Sequence, residues 1–237
     1  AWMNPYRVSV SALNLENCTI EEAKNAYLEG LDEKNFARRH PEHTLVDGAN
    51  KVILCPSHPE VIDFVTKSIM EVVDNYDVEG VHIDDYFYPY GKIPYEREEQ
   101  DFLKYRTSAD QNFEDWRRSN VDVMIKNIHD ELKKSFSKTG KKVLFGISPF
   151  AIYRTNTKVR EDGWDKGSFN AAGALQCYSE LYSDVYKWMK EGWIDYVVPQ
   201  VYFPFERADV TYHDLTKWWS NLAKETNTIL YLSLIHI

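Results

Sequence analysis

Runs of apolar, β-branched residues alternate along this chain with stretches in which apolar residues recur every three or four positions. The runs are typical of buried strands, and the wider spacing predicts amphipathic helices. Strands that alternate with helices in this way build a parallel sheet from βα units. Five strands are predicted, at residues 1–7, 78–83, 142–147, 194–201 and 228–232.

Four amphipathic helices are predicted between or after these strands, and several have recognisable ends. Ser57 and Glu60 have the spacing of a capping box at the start of the first helix, and Thr211 and Asp214 have it at the start of the last. Gly192 follows the third helix, where glycine commonly ends a helix. The inward-facing stripes are Val61, Val65, Ile69, Val72, Val73 and Tyr76; Phe113, Trp116, Met124, Ile128, Leu132 and Phe136; Leu181, Val185, Trp188 and Met189; and Leu215, Trp218, Trp219 and Leu222.

A long and mostly polar connection separates the first predicted strand from the helix that begins near Ser57. It contains one short predicted helix, around residues 21–31. Long connections in compact domains are often functional, so we expect this one to form a lid or a cleft wall. No internal repeat or low-complexity linker divides the chain, and a single domain is the simplest organisation.

The strand pattern alone leaves two α/β architectures open. A (β/α)₈ barrel closes with eight parallel strands, and five are visible here. An open, doubly wound sheet is therefore the alternative. No glycine-rich nucleotide-binding motif follows any of the predicted strands, which disfavours a nucleotide-binding protein of the open-sheet type.

Composition excludes several function classes. The net charge of −9 over 237 residues argues against a nucleic-acid partner, because phosphate binding needs clustered Lys and Arg. No apolar run is long enough for a transmembrane helix, and no signal peptide is present. The three cysteines, Cys18, Cys55 and Cys177, are widely spaced without a C-x-x-C motif. They predict neither a zinc site nor a disulfide framework, and no cofactor is expected.

Four of the predicted strands turn from apolar to polar and aromatic residues at their C-terminal ends. In a barrel enzyme the catalytic groups lie at these ends. Aromatic rings there can stack on sugar faces, although the 16 Tyr and 7 Trp of the chain can equally serve packing. The residues concerned are Asn4 to Arg7, Asp84 to Tyr88, Ser148 to Phe150 with Tyr153 and Arg154, and Gln200 to Pro204.

Asp84 and Asp85, at the end of the second predicted strand, are the strongest candidates for chemistry. Because side chains alternate faces along a strand, we expect His82 and Asp84 to point into the barrel mouth, and Asp85 to reach it only if the backbone turns. Glycoside hydrolysis uses two carboxyl groups, about 5–5.5 Å apart for retention or about 6.5–9.5 Å apart for inversion. One of them must stay neutral to act as an acid. Candidates for a further carboxyl group are Glu180, Glu206 and Asp162.

Each of these residues also has a structural interpretation. Asp85 can cap a turn, and His82 can be a hydrogen-bonded core histidine. Asp84 can form a buried ion pair with Arg7 or Arg154. Together His82, Asp84 and Asp85 also suggest a divalent metal site and a metal-assisted hydrolase, although no second cluster of His or Glu ligands accompanies them.

Five motifs spread over nearly all the chain carry a family resemblance. They are AWMNPYR at residues 1–7, DVEGVHIDDYFYP at 77–89, FGISPF at 145–150, GWIDYVVPQVY at 192–202, and Trp218 with Trp219. In this order they resemble the bacterial glycosyl-hydrolase-like family 10. The resemblance implies a (β/α)₈ TIM barrel, present here as a partial barrel of strands three to seven. It also implies export to the periplasm, the cell envelope as a lipoprotein, or the medium.

The resemblance implies a glycosidase that hydrolyses an amino-sugar glycan, the strands of peptidoglycan freed of stem peptides. The partner is thus a polysaccharide or oligosaccharide. Asp84 would act as nucleophile or transition-state stabiliser, and Asp85 as acid/base partner or as the residue that sets the pKa of Asp84. The residues expected to bind substrate are Asn4, Arg7, His82, Tyr86, Tyr153, Arg154, Gln200, Tyr202 and Glu206. A carbohydrate-binding barrel without catalysis remains the alternative.

Residues 1–231 are expected to form one partial glycoside-hydrolase barrel domain. Residues 232–237 fit the family poorly and resemble a translated sequencing adapter, so we expect a non-native tail there. The resemblance places two strands before Ala1 and the eighth after Leu232. A fragment of this kind would hold an incomplete site and could be inactive by itself, and its lack of a signal peptide says nothing about export.

Overall fold

The computed structural model describes residues 1–155, 175–205 and 211–233. Within those ranges, no helix combines the length and the apolar character that crossing a bilayer requires. The strands are β1 (Trp2–Met3), β2 (Thr44–Val46), β3 (Val52–Leu54), β4 (Gly80–Ile83), β5 (Leu144–Ile147), β6 (Tyr196–Val197) and β7 (Ile229–Leu230). The α-helices are α1 (Ile20–Glu29), α2 (Phe36–Arg39), α3 (Pro59–Asn75), α4 (Glu99–Tyr105), α5 (Phe113–Thr139), α6 (Cys177–Glu180), α7 (Val185–Lys190) and α8 (Tyr212–Thr226). Two short 3₁₀ helices are Pro41–His43 and Tyr95–Arg97.

The main sheet contains five parallel strands in the order β1-β4-β5-β6-β7. Each of the five predicted strands contains one of them, so that prediction is confirmed. Every strand pairs with the next sheet strand along the chain, with helices in the connections. A doubly wound sheet would instead reverse its strand order at a switch point. The arrangement is that of a partial (β/α)₈ barrel.

The long connection after β1 contains a hairpin that the sequence pattern did not predict. β2 and β3 pair antiparallel, with Leu45 opposite Ile53, and both strands are buried. Asp47 closes the turn, because its Oδ1 accepts hydrogen bonds from the backbone N–H groups of Ala49 and Lys51 at 2.9 and 2.8 Å. The short helix predicted in this connection is confirmed as α1.

The helix ends agree with two of the three predicted signals. Thr211 caps α8 by accepting a hydrogen bond from the backbone of Asp214, and Gly192 adopts a φ of +67° just beyond α7. The capping box predicted at Ser57 is wrong. The residue that precedes α3 is His58, whose side chain makes no capping hydrogen bond, and Ser57 Oγ donates instead to Asp101 at 3.4 Å.

The core lies between the sheet and the helices. Val81 and Ile83 of β4 are each 1% exposed on the face that meets the helical layer. Of the four tryptophans predicted as core, Trp116, Trp188 and Trp219 are fully buried, and Trp218 is partly buried. Each apolar side chain buried in this way contributes about 1.5–3 kcal/mol. Two residues at the ends of the predicted stripes, Tyr76 and Phe136, are exposed instead.

The opposite face of the sheet carries polar and aromatic side chains. His82 Nδ1 lies 3.1 Å from the hydroxyl of Tyr196, and the two rings stack with centroids 5.7 Å apart. Between them on β5 is Gly146, and a Cβ there would lie 2.0 Å from the Tyr196 ring. Glycine at this position is therefore what allows the ring of Tyr196 to cross β5 and reach His82.

Candidate active site

Asp84 and Asp85 occupy the C-terminal end of β4, where the strand gives way to a loop. The backbone N–H of Asp84 still donates to Met3 of the neighbouring strand at 3.3 Å, whereas the N–H of Phe87 already turns back to the carbonyl of Asp85 at 2.9 Å. Asp84 is partly exposed, and Asp85 is 3% exposed. The backbone turn thus gives the two carboxyl groups different surroundings.

Asp84 is held by amide donors. Its Oδ1 accepts hydrogen bonds from Gln200 Nε2 at 3.0 Å and from the backbone N–H of Asp85 at 2.9 Å. Gln200 Nε2 also donates to the carbonyl of Ser148 at 3.0 Å, so this amide joins the ends of β4, β5 and β6. Among the described residues, Asp84 does not form the ion pair considered with Arg7 or Arg154: the guanidinium of Arg7 lies over the Tyr86 ring, and that of Arg154 lies over the Tyr178 ring.

Asp85 keeps its proton to a higher pH than an ordinary aspartate does. Burial raises the pKa of Asp85 to about 6, and the negative charge of Asp84 acts in the same direction. The hydroxyl of Tyr90 donates to Asp85 Oδ2 and opposes this rise in pKa by favouring the ionised form. The two aspartate side chains also lie within hydrogen-bonding reach of each other. The pair can therefore share one proton.

A groove with a volume of about 400 Å³ adjoins the loop that follows the pair; Tyr86 and Tyr90 line it, whereas Asp84 and Asp85 do not. Its walls come from the loop after β1, the β2–β3 hairpin and the loop after β4. The guanidinium of Arg7 lies 3.7 Å from the centroid of the Tyr86 ring in this wall. Tyr90 connects the groove to the acid pair, because it lines the groove and also binds Asp85.

Two buried polar atoms near the end of β1 have no hydrogen-bond partner within the described chain. They are the hydroxyl oxygen of Tyr6, a groove residue that is 1% exposed, and Oδ1 of Asn4. An unpaired buried polar group costs about 1–3 kcal/mol, so such groups are uncommon without a purpose.

The loop that carries Tyr86 and Tyr90 is anchored by a buried ion pair. Arg117 of α5 donates through Nε to Glu98 Oε2 at 2.8 Å, and through Nη2 to the carbonyl of Ile93 at 2.6 Å. The hydroxyl of Tyr88 donates to Glu98 Oε1 at 3.1 Å. Burial raises the pKa of Glu98 to about 6, although the charge of Arg117 opposes that rise.

Two residues predicted to bind substrate lie inside the protein, and these predictions are corrected. Tyr153 is 0% exposed, its hydroxyl donates to Asp184 at 2.7 Å, and its ring stacks on Trp218. Arg154 is 3% exposed, with its guanidinium 4.2 Å from the centroid of the Tyr178 ring. The physical reason is that the chain after β5 turns into the helical layer instead of crossing the groove.

Two further residues predicted to bind substrate, His82 and Tyr202, hydrogen-bond to other residues of the chain. Burial lowers the pKa of His82, while the charge of Asp84 opposes this shift, and His82 bonds Tyr196 on the barrel-facing side of the sheet. Tyr202 is 40% exposed, and its hydroxyl lies 2.7 Å from Ser233 Oγ. Within the described ranges, the groups of side chains able to hold a metal do not include His82, Asp84 and Asp85.

Of the other carboxylates considered as partners, Glu180 is the one that lies within the described residues. Glu180 accepts a hydrogen bond from the backbone of Gln176 at 2.9 Å and lies 3.4 Å from Lys92 Nζ. Glu206 and Asp162 lie outside the described residues.

Among the groove residues that sequence reasoning missed are Asp47, Lys51 and Tyr90. Tyr90 follows the aspartate motif within the same loop, so its position beyond the strand end was an available signal. Asp47 and Lys51 belong to the hairpin, and no local pattern brings that hairpin to the strand ends.

The partial barrel defines the class, a β/α-barrel protein, and the carboxyl pair at the end of β4 is its candidate site. The chain belongs to the glycosyl hydrolase-like 10 family, whose sequence model matches residues 10–236. The resemblance predicted from its motifs is confirmed.

Two curated relatives show the extent of the similarity. The chain is 35% identical over 233 residues to the glycosyl hydrolase YngK of Bacillus subtilis (strain 168), which is 98% of this chain and 41% of that protein. It is 35% identical over 234 residues to the glycosyl hydrolase DigH of Escherichia coli (strain K12), which is 99% of this chain and 49% of that protein. The chain thus spans about half the length of these relatives or less.

Two solved chitinase structures have a limited structural similarity to this chain. Chitinase ChiW from Paenibacillus sp. str. FPU-7 has a TM-score of 0.43 and 14% identity, over 85% of this chain and 21% of that one. Chitinase ChiA74 from Bacillus thuringiensis has a TM-score of 0.42 and 11% identity, over 95% of this chain and 33% of that one.

Proposed function

We propose that this chain forms the catalytic region of a glycoside hydrolase that cleaves an amino-sugar glycan, with peptidoglycan strands freed of stem peptides as the substrate. The family and the relatives named as glycosyl hydrolases support the reaction class. The observation that carries the proposal is the pair of unequal aspartates: a partly exposed Asp84 against a buried Asp85 whose pKa is raised to about 6.

The distance between the carboxyl groups of Asp84 and Asp85 supports different roles for the two residues. Two carboxyl groups that flank a glycosidic bond as nucleophile and acid stand at least about 5 Å apart, and this pair lies within hydrogen-bonding reach. Asp84 is therefore the group that faces the sugar. Asp85 acts through it by holding a proton, which is one of the two roles expected for Asp85.

An amino-sugar substrate suits this arrangement for a chemical reason. In substrate-assisted hydrolysis the acetamido group of the sugar supplies the nucleophile in place of an enzyme carboxylate. Asp84 would orient that group and stabilise the positive charge that develops on it, and Gln200 would keep the carboxylate in place. The general acid that protonates the leaving oxygen is a separate residue.

The groove offers contacts for further sugar rings. The Arg7–Tyr86 pair and Tyr90 present ring faces and hydrogen-bond donors to the groove. Because peptidoglycan lies outside the cytoplasmic membrane, the same proposal includes export of the protein.

The decisive experiment compares Asp84→Asn with the unchanged protein. Peptide-free peptidoglycan glycan and chitin oligomers are incubated with each protein, and the products are analysed by mass. We expect Asp84→Asn to lower turnover by at least about 100-fold while the thermal midpoint changes little. Asp63→Asn, at an exposed carboxylate of α3, is the matched control and should keep full activity. An active Asp84→Asn variant would refute the assignment.

Binding without turnover is the second candidate, and the short separation of the two carboxyl groups is the observation that favours it. In that case oligosaccharides would bind to the unchanged protein, as calorimetry would detect, with no product from either glycan. Replacement of Tyr86 by Ala would then weaken binding, because the Arg7–Tyr86 face would be lost.

A further inference from the structure

A second group of reactive side chains lies where three structural elements meet, and none of its members lines the groove. Cys55 follows β3, His58 directly precedes α3, and Asp101 lies in α4. The sulfur, a ring nitrogen of His58 and a carboxylate oxygen of Asp101 all lie within 4.8 Å of one another. The wide cysteine spacing in the sequence predicted no zinc site, whereas the fold places a thiol beside an imidazole and a carboxylate.

The distances suit a shared metal ion. His58 Nε2 lies 3.0 Å from Asp101 Oδ2, and two neighbouring ligands of a tetrahedral zinc ion stand about 3.4 Å apart, given metal–ligand bonds of about 2.0–2.2 Å. Cys55 is 4% exposed, and the side chains of His58 and Asp101 are 12% and 22% exposed. Only a small movement of the three groups is needed to enclose an ion.

A neighbouring histidine supplies the outer support that metal-bound imidazoles usually have. His43 Nδ1 lies 2.8 Å from His58 Nδ1, on the side of the ring away from Asp101. A metal-ligating histidine normally donates its other ring N–H to a nearby acceptor, which fixes the tautomer and the ring orientation. His43 therefore occupies the place of a positioning residue for His58.

We propose that Cys55 Sγ, His58 Nε2 and Asp101 Oδ2 bind a zinc ion and that His43 positions His58. Thiolate, imidazole and carboxylate together favour zinc over magnesium or calcium, which prefer oxygen ligands. The thiol releases its proton to solvent on binding. The ion joins the end of the β2–β3 hairpin to α3 and α4, so its occupancy stabilises one wall of the groove.

The test uses metal-stripped protein titrated with Zn²⁺ by calorimetry and with Co²⁺ by absorption spectroscopy. A thiolate-to-cobalt charge-transfer band is expected in the unchanged protein. Cys55→Ser should abolish that band and the zinc affinity, whereas Cys18→Ser, at a cysteine outside the cluster, should keep both. His43→Phe should keep the band but weaken zinc binding by about 10–100-fold, the usual effect of losing an outer-shell partner.

Several outcomes would overturn the proposal. The first is a folded protein that binds no zinc, which would mean that the His58–Asp101 hydrogen bond is a structural contact only. The second is binding that survives Cys55→Ser or that is lost in His40→Ala, because His40 belongs to a different group with Glu42 and His43. If Cys55→Ser fails to fold, the spectrum of the unchanged protein decides, since cobalt bound without a thiolate band contradicts the assigned sulfur ligand.

Discussion

Asp84 and Asp85 are neighbours of the same residue type, but their surroundings differ. Asp84 receives two amide donors and stays partly exposed. Asp85 is 3% exposed and lies beside the negative charge of Asp84, so its neutral form is favoured. A donor from Tyr90 moderates that effect. Paired carboxyl groups with separated pKa values are a common basis of acid–base catalysis.

The raised pKa of Asp85 predicts a pH dependence of stability. The folded-state pKa of about 6 exceeds the unfolded value of about 3.9. The stabilisation is therefore fully present below about pH 4 and is lost as the pH rises through about 6. We expect the free energy of unfolding to fall by about 2–3 kcal/mol on this account, and Asp85→Asn to remove this part of the dependence.

Urea unfolding of both proteins at pH 4 and pH 7 measures the difference. Glu98, whose pKa is also raised to about 6, contributes equally to both proteins and cancels in the comparison. An identical loss of stability in Asp85→Asn and in the unchanged protein would show that Asp85 ionises normally.

At the scale of the elements, two helices begin with the same capping motif, but the capping hydrogen bond forms at only one of them. Both Ser57 and Thr211 precede a helix and are followed three residues later by an acidic residue. Only Thr211 makes the capping contact: its Oγ1 accepts a hydrogen bond from the backbone N–H of Asp214 at 3.0 Å. At α3 the helix begins one residue later than the motif requires, because Ser57 turns toward Asp101 of α4.

This difference predicts unequal effects of two similar substitutions. Thr211→Ala should lower the free energy of unfolding by about 1 kcal/mol, the usual cost of a lost N-cap, whereas Thr211→Ser should keep most of it. Ser57→Ala removes only a hydrogen bond of 3.4 Å and should cost clearly less. Thermal or urea unfolding of the three variants provides the measurement, and a larger loss in Ser57→Ala would contradict the observed helix start.

For the whole molecule, the partial barrel depends on side chains that span several strands. Gln200 connects the ends of β4, β5 and β6, and the ring of Tyr196 crosses β5 above Gly146 to reach His82. The parallel register sets these contacts, because it places Gly146 beside both His82 and Tyr196.

Gly146→Ala is predicted to be destabilising because its Cβ would lie 2.0 Å from the Tyr196 ring. We expect a loss of about 1–3 kcal/mol, typical of an overpacked core. The same substitution in a Tyr196→Ala background should cost much less, since the ring is then absent. A double-mutant cycle followed by urea unfolding tests this coupling, and equal costs in the two backgrounds would argue against the contact.

The amino-acid sequence by itself determined the strands of the main sheet, the long helices, the buried tryptophans and the position of the aspartate pair. These features depend on local patterns: apolar periodicity sets which face of an element is buried, and the strand ends place polar residues at one edge of a parallel sheet.

Only the tertiary structure decided which residues that are far apart in the sequence come into contact. It placed Tyr153 and Arg154 inside the helical layer, brought the β2–β3 hairpin to the groove, and gathered Cys55, His58 and Asp101 into one cluster. It also gave Asp85 its raised pKa, because that shift depends on burial and on the groups around the carboxyl. Contacts between residues far apart in the chain follow from how the elements pack, and no local pattern encodes that packing.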